Sequence, residues 1–451
     1  MKIILKQIKI IDPSSSLNEV NDILIEDGVI KKIGSINEDE FKSSKIFEMD
    51  GKIVTPGFFD MHVHLREPGR EDEETIETGS NAAAVGGFTG IACMPNTNPA
   101  IDSAEVVRFI KEKSSNHLVD VFPIGAATLN RKGESISPIL ELYEAGVVGF
   151  SDDGNVIKSA GILRNVLEYS KITKAPVIEH CEDESLADGA MNESFTSTLL
   201  GLPGIPTVAE DLIVARDIMM AEYVDGKVHI AHISSKKSVE LVRQAKKNGI
   251  KVTAEVTPHH FTLTDENLKT FDTNYKMNPP LRSREDVEAI IEGLKDGTID
   301  CIASDHAPHS IEEKEMEFIF APNGIIGLET QIGLAISELV KKKHLTIEQL
   351  IEKFAINPRK ILNLEIPKIK VGEKANLTIL DPEIIWTVDV SKFKSKSKNS
   401  PFDKKLLTGK AIAVINKNKM FYEDKFFTIW FLRAVQFIVQ LCIKFISKIF
   451  N

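Results

Sequence analysis

The residues best suited to chemistry in this chain are histidines and aspartates placed where apolar runs give way to loops. Phe58-Phe59-Asp60-Met61-His62-Val63-His64 carries an apolar run into a His-x-His pair, and residues two apart on a strand project to one face. Two imidazoles side by side at a strand end are a natural start for a zinc site. Other runs end in a similar way. Val177-Ile178-Glu179 is followed by His180, Val228-His229-Ile230-Ala231 by His232, and Cys301-Ile302-Ala303-Ser304 by Asp305. Gly149-Phe150-Ser151 is followed by Asp152 and Asp153. Four histidines and two aspartates in such positions match a two-metal hydrolytic centre, in which metal ions activate water and polarise an oxygen. The sequence alone does not choose between Asp152 and Asp153.

Such a set needs a scaffold that gathers the ends of several strands. From about residue 53 to 365, strand-like runs alternate with helical patterns such as Ser103 to Lys113, Ser235 to Asn248 and Ser283 to Lys295. That alternation predicts parallel α/β architecture. It does not by itself separate an open doubly wound sheet from a closed eight-stranded barrel, but barrels place chemistry at their strand ends. The two chain ends have a different texture. Ile3 to Ile11 reads as a strand broken by Asp12-Pro13-Ser14-Ser15-Ser16, and Asn21 to Ile30 as two strands around an Asp-Gly turn. Gly372 to Asp381 and Gly409 to Ile415 look alike in this respect. Together they predict one small sheet domain assembled from both termini.

Composition limits the alternatives. With 451 residues, 42% hydrophobic and 27% charged, the chain falls among ordinary soluble globular proteins and outside disordered, collagen-like or porin-like classes. A net charge of −11 offers no basic footprint, so no nucleic-acid partner is expected. Cys93, Cys181, Cys301 and Cys442 are scattered without a CxxC pair, which predicts reduced, mostly buried thiols. The N-terminus has none of the features of a signal peptide. Phe426 to Phe450 is largely apolar, with Arg433, Gln436, Gln440, Lys444, Ser447 and Lys448 mostly three or four residues apart. On a helix these make one narrow polar stripe. Such a tail suits a membrane surface, or packing on the protein itself or at an oligomer seam, better than a lone span.

The motifs His62-Val63-His64-Leu65-Arg66-Glu67-Pro68-Gly69, Met94-Pro95-Asn96-Thr97, Ser151-Asp152-Asp153-Gly154 and His180-Cys181-Glu182-Asp183 belong to a wider pattern. So do Ala231-His232-Ile233-Ser234, Tyr275-Lys276-Met277-Asn278-Pro279-Pro280 and Ser304-Asp305-His306-Ala307-Pro308-His309. Over residues 1 to about 424 the chain resembles the dihydroorotases of the amidohydrolase superfamily, of the class most often found as a separate bacterial enzyme. The resemblance implies an α/β fold, a distorted (β/α)8 TIM-type barrel over 53–365. A small composite β-sandwich is implied from 1–52 and 366–424, with the tail at 425–451. It implies that His62, His64 and Asp305 hold one zinc and His180 and His232 a second, bridged by Asp153 where many relatives use a carboxylated lysine. Two Zn2+ per chain are expected.

The activity implied is interconversion of N-carbamoyl-L-aspartate and dihydroorotate in pyrimidine biosynthesis, with water attacking the ring amide and Asp305 carrying the proton. Arg66, two residues past His64, is expected on the same strand face, offering a planar fork to the substrate carboxylate. The resemblance adds Asn96 and His309 to that carboxylate, Asn278 and the backbone at Asn323 and Gly324 to the ring, and His64 to the substrate set. It leaves His306, His259 and His260 as structural, and His117, His229 and His344 without a role. The charged stretch Ser310 to Glu317 reads either as a solvated segment or as a mobile one near the site mouth. Rival readings are a hydantoinase, dihydropyrimidinase or allantoinase, or a non-catalytic scaffold for aspartate carbamoyltransferase. Arg66 and Asp153 favour dihydroorotase over the first group, and retention of every ligand favours an active enzyme over the scaffold. A cytoplasmic homo-oligomer is expected, with aspartate carbamoyltransferase as an open partner and the tail as an open contact to a membrane surface.

Overall fold

A computed structural model describes residues 2–37 and 44–428. The stretch 429–451, with most of the apolar tail and Cys442, lies outside the described residues. Lys2–Asp12 pairs antiparallel with Leu17–Glu26, which turns through Asp27-Gly28 into Val29–Ile33. Both turn residues have positive φ, 52° and 76°, as a tight hairpin requires. Gly28 is needed for a second reason: a Cβ there would lie 2.3 Å from the Lys417 carbonyl oxygen, on the far end of the chain. Ser44–Glu48 and Ile53–Pro56 run parallel to the first strand, and Ile53–Pro56 pairs antiparallel with Asn376–Thr387. Leu406–Asn416, Lys419–Tyr422 and Lys425–Thr428 extend the sheet. The two ends thus make one nine-stranded sheet. Ile3, Leu5, Ile25, Leu377, Ile379 and Ile415 share one buried cluster, so the sheet curls over a core built from both termini.

At Gly57 the chain passes into parallel strands, each followed by a helix. We label them β1 (Phe58–Val63), β2 (Phe88–Cys93), β3 (Asp120–Pro123, resuming at Gly125–Ala126), β4 (Phe150–Ser151), β5 (Val177–Glu179), β6 (Val228–Ile230), β7 (Val252–Val256) and β8 (Cys301–Ile302). β1, β2 and the first part of β3 pair in one parallel run, and the second part of β3 through β8 in another. A parallel bridge between Val63 and His306, reinforced by His64 N–H donating to His306 O at 2.9 Å, closes β8 onto β1. This is a closed eight-stranded barrel with its helices outside. Phe59, Met61, Ala92, Ile124, Ile178 and Cys301 meet in one buried cluster although they come from strands all around the ring, so they fill its interior.

The predicted helices form where Ser precedes a helical pattern. Ala104–Ser114, Lys236–Lys247 and Arg284–Asp296 start after Ser103, Ser235 and Ser283. The Ser235 and Ser283 hydroxyls accept from the third helical N–H, a capping bond.

One buried carboxylate ties the seam together. Asp60 accepts from His62 N–H at 3.1 Å, from Ser304 N–H at 3.1 Å and from Gln331 Nε2 at 2.6 Å. These donors belong to β1, to the loop after β8 and to the helix Gln331–Ala335. Burial pushes the Asp60 pKa up, against the pull of these hydrogen bonds. Asp60→Ala leaves three buried donors unpaired. It is expected to cost about 3 kcal/mol, read as a fall of roughly 3–6 °C in thermal midpoint, with Asp60→Asn milder because it keeps an acceptor.

Candidate metal centre

All six predicted ligands stand at or just beyond the C-terminal ends of barrel strands, and all six are buried. His62 is the last residue but one of β1, and His64 lies just past the strand. Asp153 follows β4, His180 β5, His232 β6 and Asp305 β8. Asp153 lies at the centre of the group. Its Oδ1 is 3.3 Å from His62 Nε2, 3.6 Å from His232 Nε2 and 3.9 Å from His180 Nδ1, and its Oδ2 is 3.5 Å from His64 Nε2. Asp305 Oδ1 is 3.0 Å from His64 Nε2 and 3.5 Å from His62 Nε2. His180 Nδ1 and His232 Nε2 face each other at 2.9 Å. Two ligand triads result, His62–His64–Asp153 and Asp153–His180–His232, sharing Asp153.

The neighbouring carboxylate is committed elsewhere. Asp152 accepts from Thr128 N–H at 2.9 Å and from the Thr128 hydroxyl. The geometry therefore brings Asp153, not Asp152, to the cluster. Arg131 holds the Asp153 carbonyl at 2.7 Å from above the same loop.

The donor set suits a divalent cation. His62 Nε2 and Asp153 Oδ1, both facing into the cluster, are buried and make no hydrogen bond, and buried polar atoms left so are uncommon. Imidazole nitrogens and carboxylate oxygens converging from several loops are what such ions take. The electrostatics agree. Burial opposes charge on His62, but the Asp153 and Glu255 carboxylates raise its pKa well above the usual value. Burial would likewise raise Asp153 and Asp305, yet His62 with the neighbouring histidines holds both carboxyls below the ordinary range.

A second layer aims the ligands. His62 Nδ1 donates to Glu255 Oε1 at 2.6 Å and His64 Nδ1 to Asn96 Oδ1 at 2.8 Å, leaving each Nε2 facing the cluster. The other Glu255 oxygen lies 3.4 Å from His229 Nε2, and His229 Nδ1 pairs with Thr253 Oγ1 at 2.8 Å. Burial opposes the Glu255 charge, but the two histidines bring its pKa down to about 2. Sequence reasoning gives His229 no role and does not single out Glu255. A carboxylate inside the apolar strand Val252–Val256 is the signal that could have found it.

The predicted substrate residues are brought to the same mouth in two groups. Arg66 does not continue a strand face, because β1 ends at Val63 and Arg66 adopts φ 60°. Its Nε instead donates to Pro308 O at 3.1 Å and pairs with Glu73 at 3.0 Å. His309 places Nδ1 3.0 Å from Glu73 and Nε2 2.8 Å from Asn323 O. Gly324 has φ 125°, and a Cβ there would lie 2.7 Å from the Ala307 methyl, so the turn beside His309 needs glycine. Asn278 sits apart from these, with Nδ2 2.9 Å from Glu182 and 3.4 Å from His180 Nε2. His232 and Asp305 join Arg66 in positive φ, at 30° and 46°, a conformation costing about 1–3 kcal/mol per residue and typical of functional sites.

The remaining histidines differ in their surroundings. His306 lies 3.2 Å from Glu74 through Nε2 and accepts from Gly327 N–H, and His260 bridges Thr257 Oγ1 and Pro279 O. His259 is buried with Nε2 unpartnered. Within the charged stretch, Ile311–Lys314 is a short helix, and Lys314 Nζ donates to Pro322 O and Gly324 O at 3.0 Å each. Burial, with Lys276 nearby, brings Lys314 down to about 7.

The two-layer arrangement has a direct consequence. Glu255→Gln removes the charge that fixes His62 with Nε2 facing Asp153, so affinity for Zn2+ is expected to fall about 10–100-fold. Competition against a chromophoric chelator reads this without any turnover assay.

A family model described as dihydro-orotase-like matches residues 51–238. A dihydroorotase from Acetivibrio thermocellus is 51% identical over 418 residues, covering 92% of this chain and 98% of that protein. One from Syntrophus aciditrophicus is 46% identical over 430 residues, covering 94% and 100%. Among solved structures, an L-hydantoinase (dihydropyrimidinase) from Arthrobacter aurescens matches with a TM-score of 0.82 at 27% identity, covering 94% of this chain and 96% of that one. A dihydropyrimidinase from Brevibacillus agri shares the fold, with a TM-score of 0.81 at 21% identity over 95% and 96%. About half of all residues are thus shared along nearly the full length of the curated relatives, and the barrel with its composite sheet is the amidohydrolase architecture. The chain belongs to the dihydroorotase family, a family of metal-dependent cyclic amide hydrolases.

Proposed function

We propose that the chain catalyses the reversible, zinc-dependent cyclisation of N-carbamoyl-L-aspartate to (S)-dihydroorotate, the ring-closing step towards pyrimidines. The observation that supports this most is the placement of Arg66 and His309 on one shared carboxylate beside the Asp153 cluster. A centre for opening cyclic amides needs only the cluster. A guanidinium beside it suits the carboxylate that distinguishes dihydroorotate from hydantoin.

In this reading His62, His64 and Asp305 would hold one Zn2+ and His180 and His232 another, with Asp153 shared between the two sets. Cations held by such a set supply Lewis acidity and make water acidic enough to react as a nucleophile near neutral pH. The protein's own groups do the rest. Arg66 presents a planar array of N–H donors to the substrate carboxylate. Asn96 has its Nδ2 left for the same group, because its Oδ1 already accepts from His64. Asn278 and the backbone at Asn323 and Gly324 border the ring. Fixing the carboxylate orients the ring amide towards Asp305 and the cluster, which removes much of the entropic part of the barrier.

Asp305 moves the proton. Burial disfavours its charge, but His62 and His64 keep it ionised, so it starts ring opening as a base. Its carboxylate accepts a proton from the attacking water and delivers it to the ring nitrogen as the C–N bond breaks. In ring closure the terminal ureido nitrogen attacks the side-chain carboxylate carbon. Asp305 then carries the proton from that nitrogen to the departing oxygen, which leaves as water once it has taken one further proton from solution.

Closure consumes one carboxylate charge and one proton. The equilibrium ratio of dihydroorotate to carbamoyl-aspartate is therefore expected to rise about tenfold for each unit fall in pH while that carboxylate stays ionised. Chromatography of mixtures brought to equilibrium from both sides measures it. The assignment itself is tested by turnover of the purified chain with and without added Zn2+. Dihydroorotate should be opened and carbamoyl-aspartate closed, and Asp305→Ala should lose at least about a hundredfold in kcat. Faster opening of hydantoin than of dihydroorotate would instead mark the enzyme as a hydantoinase.

A further inference from the structure

We propose that Glu73 is a positioning residue that sets selectivity for a ring bearing a carboxylate, by holding the Arg66 guanidinium and the His309 imidazole in one cradle. The inference rests on the reading of Arg66 and His309 as carboxylate-binding groups given above.

Glu73 is outside both ligand triads, and its side chain is only 2% exposed. Its two oxygens are divided between partners. Oε2 lies 3.0 Å from Arg66 Nε, and Oε1 lies 3.0 Å from His309 Nδ1 and 3.1 Å from Arg70 NH2. Arg66 comes from the loop after β1 and His309 from the loop after β8. A single carboxylate thus joins the two loops that flank the barrel seam. Arg70 is in turn paired with Glu313 at 2.8 Å, which closes the outer side.

A carboxylate beside an anion-binding mouth repels the anion unless its own charge is committed to holding cations. Both Glu73 oxygens are so committed. What remains available follows from the donors. Arg66 uses Nε on Glu73 and on Pro308 O, and within the described residues its two terminal amino groups meet no protein acceptor. They are the N–H groups left for a ligand, and their plane is fixed by the Nε contact. His309 faces acceptors on both sides, Glu73 through Nδ1 and Asn323 O through Nε2 at 2.8 Å. Both bonds are made together only when both ring nitrogens carry hydrogen. His309 is then held between Glu73 and the Asn323 carbonyl, while Arg66 contributes the charge and the directed hydrogen bonds. Glu73 is the group that makes these two roles simultaneous.

The test compares the zinc-loaded wild type with Glu73→Gln and Glu73→Ala, and adds Arg66→Met and the Arg66→Met/Glu73→Gln double variant. Gln keeps the volume and one acceptor but not the charge, so it guards against a variant that fails to fold. The KM for dihydroorotate is expected to rise about tenfold or more in Glu73→Ala and less in Glu73→Gln, with kcat changed by less than about threefold and zinc content unchanged. In the Arg66→Met background, Glu73→Gln should add less than about twofold to KM, because the residue acts through that arginine. A merely structural role predicts instead a parallel loss of kcat and a full additional effect in the double variant, and either result overturns the proposal. So does an unchanged or lowered KM in both single variants, the lowered value marking Glu73 as a competing anion. If the wild type fails to turn over dihydroorotate at all, the proposed activity falls and this inference with it. With normal wild-type turnover, a failure in the variants counts against the role of Glu73 alone.

Discussion

Burying four imidazoles and two carboxylates within a few ångströms of one another demands that each be paired, because an unpaired buried charge costs several kcal/mol. The arrangement around Asp153 meets that demand by sharing. One carboxylate faces four imidazole nitrogens at 3.3 to 3.9 Å, and their mutual attraction offsets part of the desolvation of all five groups. No single element supplies so many inward-facing polar groups without destroying its own apolar packing. The closed barrel distributes them, one or two per strand end, while Phe59, Met61, Ile124 and Ile178 fill the interior with apolar side chains.

The same demand extends to the next layer and to the seam. A histidine whose outer nitrogen is held keeps the other aimed at the cluster, and Glu255 and Asn96 do this for His62 and His64. The backbone of that His-x-His segment is in turn fixed by Asp60 and by the bond from His64 N–H to His306 O. Those contacts also close the barrel. His62, His64 and Arg66 arrive on one side of the seam, Asp305 and His309 on the other. Ring closure of the fold and assembly of half the site are therefore one structural event, and strain at Arg66 and Asp305 is tolerated because the seam over-determines their backbone.

Much of this is legible in the chain because strand ends have a local signature. An apolar run followed by His or Asp marks a position, and His62 with His64 is a period-two pattern that needs no tertiary knowledge. The hairpin at Asp27-Gly28 and the serine starts of the barrel helices are readable for the same reason. What cannot be read depends on partners far away in sequence. Glu255 is 193 residues from His62, and Glu73 is 236 residues from His309. Neither carries a local mark of its role beyond being charged. The choice of Asp153 over Asp152 is made by Thr128, whose donors claim the first carboxylate. Arg66 reaches the expected neighbourhood by a different route: alternation along a strand does not carry it there, and a left-handed backbone turn does.

The likeness to hydantoinases in fold and to dihydroorotases in sequence separates two kinds of constraint. Every cyclic amide presents the same reacting group, so the cluster and the barrel that carries it serve many rings, and the fold alone does not select among them. Selection has to come from groups that touch what differs between rings. In the function proposed for this chain those groups are Arg66 and His309, on the loops after β1 and β8, outside the ligand triads but anchored to the same seam. The carboxylate shared by the two triads obeys a related logic. An aspartate is shorter than a carboxylated lysine, so its backbone must come closer to the centre of the cluster. The loop after β4 is held there by Arg131 on the Asp153 carbonyl at 2.7 Å and by the Ser151 hydroxyl, which accepts from Asp153 N–H at 2.9 Å. The identity of the residue shared by the two triads and the path of its loop are thus one constraint. A lysine at 153 would overshoot the centre unless that loop withdrew, which ties the choice of Asp at this position to Arg131 and Ser151 as much as to the metal ligands.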